Sequence, residues 1–394
     1  MTAAELAPRR TWPVVAAAAA IYVLFVGLRL AAFDGDPSSF MIAGDGVADP
    51  AETPSEVTVF RGVRGYDGQA YYRLSRDPLT LEPEQFGITF TRPAYWQTRI
   101  GYPGVVWLAS AGGQAALVPW TMLLVNVVAL LAMTMATATI ARRAGRSSWW
   151  GLVPVAWGGY VIGIGQDLTE PLAGALLAGA VLAARQRRWR WAAVAMTAAA
   201  LTRETSLILA FAVLASRVAM PIFPRLLRQE ERPVPPWWVG LAPFVLYGGW
   251  RIFVRRRWAD VVASPPDDGI LGPPLVSLFE YLGSVDSQDI GNLALLVPTV
   301  LTIGLLAPAV LRRDGHAHER LALLGYLVVL ACLPVWDRGQ AYLRWCCEPV
   351  LLGWVLSLGR PVRVRGVLAG TVALVWLLSV IATVHYPGIA RWPG

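Results

Sequence analysis

Apolar runs and arginine-rich segments alternate along most of the chain. Runs of about 17 to 25 apolar residues are long enough for a helix to cross the hydrocarbon core of a bilayer. The first run covers residues 12–33 and is longer than the apolar core of a typical signal peptide, so we expect a retained anchor. Later runs lie near 116–141, 149–165, 168–184, 237–254, 293–311, 320–336, 345–359 and 366–384. The pattern predicts an all-α polytopic membrane protein.

The arginine-rich segments predict which helix ends face the cytoplasm, because short loops rich in arginine stay on that side. They are Arg9 with Arg10, "ARRAGR", "RQRRWR", "RVAMPIFPRLLRQEERP", "RRDGHAHER" and "GRPVRVR", and they hold more than half of the 34 arginines. Residues 191–219 have such a segment on both flanks, so this stretch is predicted to cross twice and to turn at "LTRET" (201–205). The prediction is then about eleven transmembrane helices, with the amino terminus inside and the carboxyl terminus outside.

This topology divides the chain into three regions. Residues 1–33 are predicted as the cytoplasmic amino terminus and first transmembrane helix, 34–115 as a long extracytoplasmic loop with interfacial helices, and 116–394 as a transmembrane helical bundle. Within the loop, residues 67–77 are expected to form a helix that the following proline stops. Its tyrosines suit the membrane interface. The alternative to a functional role is an interfacial helix whose charged side chains are simply solvated.

The composition indicates a bilayer as the main environment. The chain is 56% hydrophobic and 15% charged, contains 18 tryptophans, and carries its net charge of +8 through arginine without any lysine. A glycine-rich loop of the nucleotide-binding type is missing from the sequence, which argues against ATP or a nucleotide sugar as ligand. We expect no nucleic-acid partner. The three cysteines lack metal-binding spacing and are predicted to be packing residues.

Four short motifs lie on the predicted outward side. They are "YDGQAYY" (66–72), "TRIGYP" (98–103), "QDLTEP" (166–171) and "LTRETSL" (201–207). With the long first loop, their order resembles the membrane glycosyltransferases of the GT-C superfamily, including mannosyltransferases that use dolichyl or polyprenyl phosphate sugars. The resemblance implies an inverting transfer of mannose or another hexose or pentose from a polyprenyl-phosphate donor. The acceptor would be a hydroxyl of a lipid, glycan or protein of the cell envelope, at the extracytoplasmic face of a bacterial plasma membrane.

Asp67 is the candidate general base of such a transfer. The acceptor hydroxyl must lose its proton to a carboxylate within hydrogen-bond reach. Gly65 and Gly68 flank Tyr66 and Asp67, so the backbone can turn sharply and admit a substrate, and Tyr66 and Gln69 are expected near the acceptor. The alternative is that Asp67 only caps the helix that follows. Three other carboxylates early in the loop compete for the role and rank behind it: Asp34, Asp36 and Asp45.

Asp167 and Glu170 form a candidate second acidic site. They lie three residues apart at a predicted helix start, so both carboxylates face one side. They would orient the acceptor or hold a divalent cation such as Mg²⁺ or Mn²⁺ through oxygen ligands. The alternative is a helix cap with a glutamate three positions later. Metal use stays open at this point.

Arginines on the outward side are the candidate ligands of the donor phosphate, because the planar guanidinium matches phosphate oxygens. Arg203 leads, with a local ion pair to Glu204 or Asp167 as its alternative role; Arg99 and Arg344 follow. Arg255 and Arg256, in "RIFVRRRW" (251–258), end a span that runs outward, where arginine clusters are disfavoured. Either they capture phosphate at headgroup depth, or one span is miscounted.

A second function class also fits the span count. A secondary transporter, or a flippase of lipid-linked sugars, would have a similar number of helices with charged breaks. Transporters usually consist of two similar halves with short loops. This chain instead places one long loop after its first helix, which favours the enzyme.

Overall fold

The computed structural model describes residues 10–222, 234–259, 261, 271–312 and 315–386. These residues form seventeen α-helices, several 3-10 turns and two small two-stranded sheets. The helices are α1 Trp12–Ala32, α2 Asp67–Arg76, α3 Pro93–Gln97, α4 Gly101–Ala109, α5 Val118–Arg143, α6 Leu152–Val155, α7 Gly158–Gly165, α8 Glu170–Arg185, α9 Trp189–Thr202, α10 Leu207–Ile222, α11 Trp237–Ala259, α12 Val276–Ser284, α13 Ile290–Leu306, α14 Ala317–Ala331, α15 Gly339–Trp345, α16 Cys347–Ser357 and α17 Val362–Val384. The strands are β1 Ala43–Gly44, β2 Val59–Phe60, β3 Glu84–Gln85 and β4 Ile88–Thr89.

Five helical segments are long and apolar enough to cross a membrane by length and composition. They are α1, α5 and α17, the segment Glu204–Ile222, which includes α10, and the segment Ile290–Leu311, which includes α13. Each presents a bulky apolar side chain with more than half of its surface exposed: Leu24, Leu124, Phe211, Val297 and Ile381. Apolar side chains on the outside of a helical bundle are typical of a surface that faces lipid. The structure therefore has the character of a helical membrane protein.

The shorter helices pack between these long ones. α8 lies between α5 and α9, α10 packs on α11 and α14, and α7 packs on α15 and α17. The contact of α7 with α15 is close because Gly159 has no side chain to separate it from the Leu343 carbonyl. The indole of Trp157 donates a hydrogen bond to the same carbonyl oxygen at 2.8 Å. These two contacts hold α15, and with it α16, against the start of α7.

Several arginine-rich segments meet pairwise in the structure. Arg185, at the end of α8, forms an ion pair of 2.6 Å with Glu319 in the first turn of α14. Arg146, after α5, donates to the Leu358 carbonyl oxygen at 3.1 Å, just before α17. These contacts place the arginine segments beside one another at the same end of their helices. Residues 223–233, the later part of the arginine-rich segment "RVAMPIFPRLLRQEERP", lie outside the described residues.

The first long loop folds against the bundle. β1 pairs with β2 in parallel, and β3 pairs with β4 antiparallel. α2 is buried along most of its length, which differs from the solvated interfacial helix considered above. Arg73 is fully buried, donates to the carbonyl oxygens of Glu82, Pro83 and Ile88, and lies over the Phe90 ring at 3.7 Å. Burial lowers the pKa of Arg73 to about 10, which leaves it charged at neutral pH. The guanidinium therefore closes the loop that follows α2.

Candidate functional site

A buried network of ion pairs joins the loop to the bundle. At its centre, Glu170 accepts a hydrogen bond from Arg344 Nε at 2.6 Å and pairs with Arg203 Nη1 at 3.0 Å, both through Oε1. The Glu170 side chain is fully buried. A carboxylate in such a place needs cationic partners, because its desolvation is otherwise costly. Two arginines from distant parts of the chain supply them.

Arg203 reaches this centre because the chain leaves the helix at this residue. α9 ends at Thr202, Arg203 is extended at φ −153° and ψ 120°, and a 3-10 turn begins at Glu204. The side chain donates to the Arg344 carbonyl oxygen at 3.1 Å and lies 3.5 Å from the Glu348 carboxylate. The corner predicted at "LTRET" is therefore where two helices separate and a guanidinium enters the protein interior.

Glu348 is a member of the network that the sequence analysis missed. Its carboxylate accepts from the Thr205 hydroxyl at 2.7 Å as well as pairing with Arg203. The sequence feature that could have identified Glu348 is its spacing from Arg344, which it follows by four residues across the junction of α15 and α16. Residues at this spacing share one face of a helical segment.

Asp67 lies at the accessible edge of the network. Its Oδ2 is 3.4 Å from Arg344 Nη2, and its Oδ1 accepts from the Trp96 indole at 3.3 Å. The Asp67 side chain is 26% exposed, whereas that of Glu170 is 0% exposed. Contacts this long are weaker than the 2.6 Å bond inside the network. A partner that enters from outside would meet Asp67 first.

Tyr66 holds Arg344 from the other side. Its hydroxyl accepts from Arg344 Nη1 at 2.7 Å, and the guanidinium lies 5.2 Å from the centre of the Tyr66 ring. Burial is the main cause that raises the pKa of the Tyr66 phenol to about 12, so it stays neutral at physiological pH. Asp67 and Tyr66 therefore present their oxygens to one guanidinium.

A second ion pair extends the site from the "TRIGYP" motif to the "LTRET" corner. Arg99 binds both carboxylate oxygens of Glu204, at 2.9 and 2.5 Å. It also donates to the Tyr71 hydroxyl at 3.2 Å and lies over the Tyr95 ring. Burial raises the pKa of the Tyr71 phenol, which therefore acts as a neutral partner. The Glu204 side chain keeps 30% exposure, so this pair also reaches the outer edge.

Neither candidate acid acts as a helix cap through its side chain. Tyr66 occupies the N-cap position of α2 and Thr169 that of α8, and neither cap is closed by a side-chain hydrogen bond. Asp67 and Glu170 are instead the first residues of their helices. Their carboxylates point into the tertiary network, where they meet arginines.

Asp167 and Gln69 take other partners. Asp167 is fully buried with φ +48°, and its closest hydrogen-bond contact is Asn126 Nδ2 at 3.5 Å. Gln69 accepts from the Gly44 amide at 3.2 Å and so ties α2 to β1. The expected joint site of Asp167 and Glu170 is thus split, since the two carboxylates contact different residues. Among the described residues, no three His, Cys, Asp or Glu side chains lie together as metal ligands.

Arg255 and Arg256 are exposed near the end of α11. The contacts of the network given above include neither of them. The same helix docks on the loop through Trp250 and Trp258, whose indoles donate to the backbone and side-chain oxygens of Gln97 at 3.1 and 2.6 Å. The arginines therefore lie on a helix that touches the loop.

Comparison of the chain with protein-family models, curated proteins and solved structures finds no match. The geometry of the site is therefore the basis for assigning a function.

Proposed function

We propose that the chain is a membrane glycosyltransferase that moves a sugar from a polyprenyl-phosphate donor to an acceptor hydroxyl on the extracytoplasmic face. The proposal includes the topology of about eleven crossings, with the ion-pair network outside and the arginine-rich segments in the cytoplasm. The observation that carries it is the position of Asp67: a partly exposed carboxylate beside a buried cluster of guanidinium groups. Group transfer between a hydroxyl and a phosphate ester needs both kinds of side chain at one place.

The separation of the two charged ends supports the sidedness. Glu170 begins α8 and Arg185 ends it, and the helix has 16 residues. A helix of this length spans about 24 Å. Glu170 belongs to the network, whereas Arg185 lies in an arginine-rich segment. The network and that segment are therefore at opposite ends of the same helix.

In the proposed step, Asp67 takes the proton of the acceptor hydroxyl as the oxygen forms a bond to the anomeric carbon. The bond from that carbon to the phosphate oxygen breaks, and polyprenyl phosphate leaves with the electron pair. Attack opposite the leaving group inverts the anomeric configuration. A base placed in this way contributes about 10²- to 10⁴-fold to the rate.

Arg344 is the proposed contact for the donor phosphate. Its Nε bond to Glu170 and its Nη1 bond to Tyr66 are short, but the contact of Nη2 to Asp67 is 3.4 Å, so Nη2 is the nitrogen that would donate to a phosphate oxygen while the inner bonds stay in place. Arg203 and Arg99 are each held by a carboxylate, Glu170 and Glu204 respectively. They act as positioning residues, because their charges fix the acids and tyrosines around Arg344.

The test uses the purified full chain in detergent with labelled polyprenyl-phosphate mannose and, separately, arabinose. Wild type is compared with Asp67→Asn, which keeps the size of the side chain and removes the base. The matched control is Asp49→Asn in the same loop, where an exposed side chain accepts from the Ala51 amide at 2.8 Å through an oxygen that asparagine also has. We expect Asp67→Asn to lose about 10²-fold or more of its transfer rate, and the control to keep it.

Two outcomes would contradict the proposal in different ways. Equal transfer by wild type and Asp67→Asn would remove Asp67 as the base. Absence of transfer by the wild type with every sugar and acceptor offered, together with movement of labelled lipid-linked sugar across proteoliposomes, would favour a flippase instead.

A further inference from the structure

An apolar groove lies at the end of the bundle opposite to the ion-pair network. It encloses about 310 Å³ between the segment that follows α5 and the first half of α17. Trp149, Leu152 and Val153 line one wall, and Ala369, Val372 and Ala373 line the other. The floor is fixed, because the Trp354 indole donates to the Trp150 carbonyl oxygen at 2.8 Å. A groove with a mainly apolar lining suits a hydrocarbon chain.

Arg365 lies one helical turn before the wall that α17 contributes to this groove. It precedes Ala369 and Ala373 on α17 at intervals of four residues, so the three share one helix face. Arg365 is only 5% exposed, and its guanidinium lies 4.7 Å from the centre of the Trp150 ring. Its Nε donates to the Arg360 carbonyl oxygen at 3.2 Å, but the buried Nη1 has no hydrogen-bond partner in the described structure. A buried donor without an acceptor is costly, so an anion that accepted a hydrogen bond from Nη1 would be favoured here.

A second arginine close to Arg365 also favours an anion at this position. The guanidinium of Arg146 lies near that of Arg365. Its own Nε is bound to the Leu358 carbonyl oxygen, which carries no full charge. Among the described residues, neither arginine forms an ion pair with a carboxylate. Two adjacent guanidinium groups without an acid favour a phosphate between them.

We propose that the groove binds an anionic phospholipid. Its phosphate would accept hydrogen bonds from Arg365 and Arg146, and one acyl chain would lie between Leu152 and Ala369. The phosphate would pair with two arginines that have no carboxylate partner among the described residues, and the acyl chain would fill the mainly apolar cavity beside them. The arginine-rich segments at this end of the bundle attract anionic lipid headgroups in the same way. The site is independent of the proposed sugar transfer, because it is built from other residues at the other end.

The experiment measures lipid binding to the full chain by native mass spectrometry in detergent. The probes are phosphatidylglycerol, phosphatidylcholine and inorganic phosphate. Arg365→Gln is compared with Arg363→Gln, a matched control because Arg363 is exposed two positions away on the same helix. We expect wild type and Arg363→Gln to bind phosphatidylglycerol alike. Arg365→Gln should bind it about fivefold more weakly, the size expected for one arginine at a lipid headgroup.

A second variant tests the acyl chain and keeps the arginines. Ala369→Phe fills the groove, so it should also weaken binding of phosphatidylglycerol while the protein still elutes as a folded species. Equal binding of phosphatidylcholine and phosphatidylglycerol would overturn the proposal, as would equal losses in Arg365→Gln and Arg363→Gln. Competition by inorganic phosphate alone would show an anion site without a lipid.

Discussion

At the scale of single residues, the main feature of the site is the gradient of exposure along its carboxylates. Glu170 and Glu348 are almost completely buried, whereas Asp67 and Glu204 each keep about a quarter to a third of their side-chain surface. The buried acids hold the arginines in place, because leaving either charge alone in the interior would be unfavourable. The exposed acids are therefore the ones available for a substrate.

Removing the charge of Glu348 should destabilise the protein. Glu348→Gln keeps the acceptor for Thr205 but leaves Arg203 with one carboxylate instead of two. Loss of one partner of a buried pair costs about 3 to 5 kcal/mol in other proteins. Because Arg203 keeps Glu170, we expect the lower end of this range in the free energy of unfolding, measured by thermal denaturation in detergent. Glu280→Gln, at an exposed position, is the control; equal melting temperatures of the two variants would contradict the assignment.

The raised pKa of Tyr66 predicts a loss of stability in alkaline solution. Below its ordinary pKa of 10.0, the phenol is protonated in both folded and unfolded chains. Between there and a pKa of about 12, the unfolded chain releases this proton and the folded chain keeps it, so stability falls as pH rises. Tyr66→Phe removes this contribution. Its melting temperature should fall less than that of wild type between about pH 9 and pH 11, and identical slopes would refute the argument.

At the scale of elements, the approach of α2 to the turn before α8 determines where Asp67 lies. A Cβ atom on Gly68 would be 2.4 Å from the Gln166 carbonyl oxygen and 2.7 Å from that of Met41. The two backbones are thus in direct contact. Gly68 serves packing within the protein, whereas the sequence suggested that it lets a substrate approach. Gly65, at φ +81°, provides the sharp turn that was expected.

Gly68→Ala should therefore move α2 away from α8. We expect lower thermal stability and a transfer rate reduced about tenfold or more, since a displacement of about 1 Å can cost 10²-fold in activity. Gly104→Ala is the matched control, because Gly104 is also helical and has open space around its Cβ position. That change should be neutral or slightly stabilising, by about 0.5 to 1 kcal/mol. Similar losses in both variants would argue against a close contact at Gly68.

The sequence was sufficient for some of these elements and insufficient for others. Five of the apolar runs locate the five long apolar helical segments, and the arginine segments on both flanks predict the break at Arg203, because both signals are local. The burial of Arg73 was not predicted, since its acceptors are carbonyl oxygens formed by a later loop. Asp167 and Glu170 were expected on one face, but the left-handed backbone of Asp167 turns its side chain toward Asn126. Partners of this kind depend on tertiary structure.

At the scale of the whole molecule, the charges are divided between two ends. One end carries paired acids and arginines around Asp67, and the other carries arginines with few acids, around Arg146 and Arg365. Apolar side chains cover the helices between them. This distribution is what a bilayer imposes on a protein that crosses it.

Accessibility labelling tests this division. In a background with Cys332→Ser, single cysteines replace Glu52 in the loop or Arg188 after α8, both at exposed positions. Cys346 and Cys347 are buried and should not react. A membrane-impermeant maleimide added to intact cells should label Glu52→Cys at once and Arg188→Cys only after permeabilisation. Labelling of both from the same side would disprove the proposed topology.

The link between Asp67 and Arg344 spans 277 positions of the chain, and this has a consequence for biosynthesis. Glu170 and Arg203 emerge from the ribosome well before Arg344, so the growing chain enters the bilayer with a carboxylate that lacks its closest cation. Such an intermediate is exposed to misfolding until the last third is made. Chains truncated before α15 should therefore be degraded rapidly by membrane proteases, even though most of their apolar helices are complete.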